Sequence, residues 1–167
     1  MGHRALVAYE RPDGRYDCHY AHWGAADLAL RRDVAPGTPF AGGDDDRWRP
    51  RVDPAPRARA VRFEDLTDHL DFEQVEALYV VTLVWVVTTY LPLWFGPTPD
   101  SDRHAGALVA VEDPDDARRV RRWFRATRAV VRDMVARDAL AEDDATDYLA
   151  ARVTEWAGDR RAVILAD

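Results

Sequence analysis

At 167 residues, 47% of them hydrophobic, the chain has the length of one domain able to bury its own core. All 23 basic residues are Arg, 23 of the 30 acids are Asp, and the net charge of −7 disfavours indiscriminate binding to nucleic acid. The single cysteine, Cys18, excludes an intramolecular disulfide and fits a reducing compartment.

The opening MGHRALVAY has no charged region leading into a long apolar stretch, and Leu6 stands where a myristoylation signal needs a small hydroxyl residue. A cytoplasmic location is therefore the expectation. RALVAYE (4–10) and RYDCHYAHW (15–23) read as a β-hairpin around RPDG (11–14), with Pro12 presetting φ and Gly14 free to take positive φ. Two registers are available. A plain four-residue loop sets His3 opposite His22; a bulge at Gly14 sets His22 opposite Arg4 and His3 opposite Trp23. RPDG suits the bulged form.

GAADLALRR (24–32) reads as a short helix. Residues 33–60, with five prolines and three glycines, read as a long surface loop or insertion. EDLTDHL (64–70) reads as a helical turn or two. Residues 77–97 are uncharged and long enough to cross a bilayer. Eight of the ten residues from Val80 to Thr89 are β-branched, Pro92, Gly96 and Pro97 interrupt the end, and the flanks carry Asp71, Glu73, Glu76 and Asp100. Buried strand or hairpin is therefore the expectation, with no membrane span.

GALVAVE (106–112) is a further strand. Asp113 is a natural N-cap, Pro114 takes the first helical position, and acids fill the first turn, which predicts a helix over 114–138. A second helix over 142–157 ends near Gly158, and RAVILA (161–166) closes as a strand. Together these predict a single α+β domain over 1–167. Its mostly antiparallel sheet is built from strands near 4–10, 15–23, 77–95, 106–111 and 161–166, with two amphipathic helices on one face.

YDCHYAHWGA (16–25) looks like a ligand cluster. In a strand rising about 3.3 Å per residue, however, Cys18 and His22 lie roughly 13 Å apart, and His19 and His22 roughly 10 Å apart on opposite faces. A zinc ion holds its ligands at about 2 Å, so His3, Cys18 and His22 are the candidate ligands only if the hairpin register helps. Packed aromatic strand is the expectation, with no cofactor. Serine occurs once, at Ser101, and no GxSxG, HExxH, P-loop or GxGxxG is present, which argues against the common hydrolase and nucleotide-binding mechanisms. GGDDD (42–46) lacks the alternating oxygens of a calcium loop and reads as a solvated acidic loop.

On the long helix, Val120, Trp123, Phe124, Thr127, Val130, Val131 and Met134 form one arc, a core-facing stripe. Arg118, Arg121, Arg122, Arg125, Arg128 and Arg132 form the opposite arc. Like charges at these spacings repel, so carboxylates at 142–144 or 44–46, bulk salt, or an anionic partner must offset them. The row carries no interleaved aromatic residue on which a base could stack. HWG (22–24) and LWFG (93–96) end strand-like runs, which makes His3, His22, Trp23 and Trp94 a candidate pocket, against the simpler reading of core closure.

The opening through HWGA, together with YLPLWFGP, resembles an uncharacterised family of haloarchaeal proteins that share a terminal hairpin with a DG turn and an HWG strand end. The resemblance implies a salt-adapted source, in line with the Asp excess and the absence of Lys; it supplies no activity and no catalytic residue. The function expected is that of a non-catalytic binding or accessory protein, meeting a protein partner or a second copy through the aromatic strand ends or the arginine face. An RNA- or ribosome-associated protein is the first rival, and a metal- or thiol-dependent hydrolase around His3, Cys18 and His22 the second.

Overall fold

The computed structural model describes residues 3–42 and 49–166. Seven strands, β1 (Ala5–Glu10), β2 (Tyr16–Ala21), β3 (Ala58–Val61), β4 (Ala77–Val81), β5 (Val87–Trp94), β6 (Gly106–Val111) and β7 (Val163–Leu165), form one sheet in the order β3-β2-β1-β4-β5-β6-β7. The fold is α+β, and every neighbouring pair is antiparallel except β1 with β4. The 3₁₀ segment Glu64–His69 touches both β3 and β7, the two edges, so the sheet curls around it.

Alternation of side chains along each strand gives the sheet two apolar faces. Val7, Tyr79, Val81, Leu91, Leu93 and Val109 pack with the helices α1 (Leu30–Asp33), α2 (Pro114–Ala136) and α3 (Glu142–Ala157). Leu6, Cys18, Leu78, Tyr90 and Leu108 pack on the other face with Leu66, Leu70 and Phe72. The uncharged run at 77–97 is thus two neighbouring strands of the sheet, and among the described residues no helix is long and apolar enough to cross a membrane.

The first hairpin takes the bulged register, with Ala5 opposite Ala21 and Glu10 opposite Tyr16. Gly14, at φ +76°, donates its N–H to Arg11 O. The β4–β5 hairpin repeats this turn with a different residue in the critical place. Trp85, at φ +63°, donates to Thr82 O at 2.9 Å, and Thr82 donates to Val86 O at 3.0 Å. A left-handed non-glycine residue costs about 1–2 kcal/mol; here Trp85 packs beside Tyr9, ring centroids 6.5 Å apart.

The expected strand set lacks β3, which begins at Ala58. Within the segment 33–60, expected as a long surface loop or insertion, Val52 is fully buried, and Asp53 and Arg57 donate backbone N–H groups to Tyr20 and Cys18. The acidic run Asp44–Asp46 lies outside the described residues. The mostly antiparallel sheet includes one parallel pair, β1 with β4. One expectation needs correcting: Val130 does not face the core but is 61% exposed, because α2 buries only Val120, Phe124 and Val131 of its apolar arc, with Ala117 beside them. Trp123 turns instead to α3 and stacks on Trp156, centroids 4.4 Å apart.

Asp113 caps α2 by accepting the Asp116 N–H at 2.7 Å. The buried Asp116 carboxylate accepts the Glu112 N–H and both ends of the Arg161 fork, each at 3.1 Å. Burial alone raises the pKa of Asp116, but the Arg161 hydrogen bonds, the Glu112 N–H and the Arg161 charge outweigh it and hold the carboxyl below its ordinary value. A depressed carboxylate contributes stability that is complete above the unfolded-state pKa and is lost as pH falls through the native one. In urea unfolding, Asp116→Asn should lower stability at pH 7 by about 3 kcal/mol. Between about pH 5 and pH 2 the variant should then lose less stability than the native chain. Parallel acid profiles for the two proteins would contradict this assignment.

Candidate anion-binding cleft

The bulged register disperses the histidine–cysteine cluster. His3 faces Trp23, ring centroids 6.1 Å apart, and its Nδ1 lies 3.0 Å from Glu76 Oε2. His22 meets the Trp23 ring edge-on at 5.1 Å and pairs with the Tyr20 hydroxyl at 3.1 Å. Cys18 is buried in the layer under Leu66 and Leu70, and His19 points away from it to bond Asp53 O at 2.8 Å. Burial, with a smaller contribution from the Asp17 charge, pushes the Cys18 thiol up to about 11. It is therefore neutral at pH 7, without the thiolate that attack or metal ligation requires. Among the described residues, no three His, Cys, Asp or Glu side chains stand close enough to hold a metal ion.

The arginine arc of α2 divides. Arg118 pairs with Asp115, and Arg122 lies away from the cleft. Arg121, Arg125, Arg128 and Arg132 line a cleft of about 540 Å³ with Phe72, Trp94 and Phe124. Two of the four are half-buried and fastened to backbone. Arg121 Nη2 donates to Glu76 O at 3.2 Å. Arg128 donates through Nε and Nη2 to Gly96 O at 3.1 and 2.7 Å, with its guanidinium carbon 4.4 Å over the Trp94 ring.

Trp94 is itself pinned. Its indole N–H donates to Asp102 O at 2.8 Å. The ring lies against Gly96, where an added Cβ would fall 2.2 Å from a ring carbon; only glycine admits so close an approach. Burial draws the pKa of both Arg121 and Arg128 below the ordinary guanidinium value. The charge of Arg125 adds to this at Arg121 against the opposing pull of Glu76 and Tyr79, and the charge of Arg132 adds to it at Arg128.

Among the described residues, no carboxylate lies within ion-pair distance of Arg121, Arg122, Arg125, Arg128 or Arg132. Glu73 is, among the described residues, the one carboxylate lining the cleft, and Arg103 Nε holds it at 3.1 Å. The expected offset from residues 142–144 does not appear there; Glu142 accepts instead from the Thr98 and Ser101 hydroxyls at 3.1 and 2.8 Å. A second arginine-lined cavity, of about 520 Å³ around Arg31, Arg119, Arg160 and Arg161, already contains Asp116. The four-residue pocket read from the sequence is also divided: His3, His22 and Trp23 stand together, and Trp94 lies under Arg128. Phe72 and the carbonyls of Glu76 and Gly96 have no local sequence signal.

The family model described as "Family of unknown function (DUF6735)" matches residues 1–51 and 44–165. No curated protein and no solved structure matches the chain.

A buried neutral thiol reacts only when the fold opens. Cys18 should resist Ellman's reagent at pH 8 in native protein and react stoichiometrically in urea. Rapid stoichiometric reaction without denaturant would return Cys18 to the list of candidate nucleophiles.

Proposed function

The chain belongs to this family of unknown function, DUF6735, and for it we propose a non-catalytic binding role in which the α2 cleft receives an anionic partner. The observation that carries the proposal is the state of Arg121 and Arg128. Both are half-buried and fixed by backbone carbonyls, and neither has a carboxylate partner among the described residues. A preorganised, partly desolvated cation attracts an anion more strongly than a mobile surface one. Among the described residues, those lining the cleft include no Ser, Thr, Cys, His, Tyr or Lys; of the groups that ordinarily perform nucleophilic or acid–base chemistry, they supply only Glu73. Its chemistry is that of holding.

The Asp excess and the absence of Lys support a salt-adapted, haloarchaeal setting for this role. Partner binding there must survive concentrated salt, which weakens exposed charge pairs more than partly buried ones. Arg125 and Arg132 are exposed and make no ion pair among the described residues, so reversing both leaves the packing intact. Fluorescence anisotropy with labelled oligouridine and labelled polyglutamate should show native protein binding at least one of them. Arg125→Glu with Arg132→Glu should weaken that binding by about tenfold or more. Binding of neither probe, or equal binding by the reversed variant, would overturn the role.

A further inference from the structure

We infer that the partner is a single-stranded nucleic acid, with its phosphates along the α2 arginine row and a base stacked on Trp23. This inference rests on the cleft being an anion site and adds the class of anion. Arg121, Arg125, Arg128 and Arg132 recur at helical spacing along one side of α2. At 1.5 Å per residue the row is about 16 Å long, which makes it a track for a repeating anion and longer than one compact ion needs.

Contacts through Glu76 and His3 link the first arginine of the row to an exposed aromatic residue. Glu76 joins the two: its carbonyl accepts from Arg121 and its carboxylate meets His3 Nδ1 at 3.0 Å. The His3 ring lies 6.1 Å from that of Trp23, which is 55% exposed and is met edge-on by His22. A basic cleft and an exposed ring linked to its first arginine are the two parts that sequence-tolerant single-strand binders combine, since every base has a π-face. Trp94 is unsuited to that stacking role because Arg128 lies over its ring and Gly96 lies against it; it positions Arg128 instead. An acidic peptide would use the arginines and leave the exposed Trp23 idle. The stacking partner that the arginine arc lacks in sequence would thus come from the β2 end, tied to Arg121 through Glu76 and His3.

Anisotropy titrations test this with oligouridine of about ten nucleotides, within known single-strand site sizes, an abasic strand of equal length, and polyglutamate of equal charge. Oligouridine should bind best. Trp23→Ala should weaken oligouridine by about tenfold, with Trp23→Phe restoring most of the loss. Neither Trp23 variant should change the slope of log affinity against log salt. Arg125→Glu with Arg132→Glu should make that slope shallower by about one or more.

Polyglutamate binding in the absence of oligouridine binding would overturn the nucleic-acid assignment and leave the cleft as an anion site. Binding of no probe would remove both. Equal affinity for the abasic strand, or an unchanged affinity in Trp23→Ala, would overturn the stacking half of the inference.

Discussion

The line that α2 takes across the sheet is set by one buried carboxylate. Asp116 accepts from the Glu112 N–H at the end of β6 and from the Arg161 fork just before β7, while its own N–H is held by Asp113. The first turn of α2 is thereby tied to two strands at once. Arg161 also lies over the Trp156 ring, and Trp156 stacks on Trp123, so the same knot aligns α3. Pairs of this kind add modest net stability against an apolar alternative, yet losing one partner is severe. Here the consequence is one of position: a helix of 23 residues held at its start carries Arg121 to the carbonyl of Glu76 and Arg128 to that of Gly96.

Those two tethers hold cations in a chain of 30 acids and 23 bases. Several other arginines stand beside acids, as with Arg11 and Asp17, Arg62 and Asp65, and Arg152 and Glu155. Such exposed pairs contribute little individually, but they neutralise the field locally. Arg121 and Arg128 are half withdrawn from water against peptide dipoles and a tryptophan face. This arrangement gives each a backbone hydrogen-bond partner and leaves its charge without a carboxylate among the described residues.

What was legible in the sequence divides along physical lines. The first hairpin's register was readable because Gly14 supplies the left-handed residue that a bulged turn needs. The same turn at Thr82–Val86 was not, because Trp85 occupies that position and tertiary packing on Tyr9 holds it there. The boundaries of α2 followed from Asp113 and Pro114. Which of its apolar residues are buried did not, since Val130 is released to solvent while Trp123 is claimed by α3. The β1–β4 parallel pair and β3 depend on contacts distant in sequence, and β3 is bent by Ala60 at φ +54°. The periodicity of the arginine row was plain. Which of its members are drawn into the cleft was hidden, because the carbonyls of Glu76 and Gly96 that hold Arg121 and Arg128 carry no residue-type signature. Of His3, His22, Trp23 and Trp94, the first three stand together at the end of β2, and Trp94 lies under Arg128, a separation the sequence does not show.

The arginine side chains themselves report most directly on whether the cleft takes an anionic partner. Nε–Hε resonances in heteronuclear NMR can be followed during titration with oligouridine and with polyglutamate. A partner in the cleft will shift Arg121, Arg125, Arg128 and Arg132 saturably and together, while Arg11, Arg62 and Arg152, paired elsewhere, stay in place. Shifts spread evenly over the arginines of the chain, or none at these four, would contradict an anion-binding cleft.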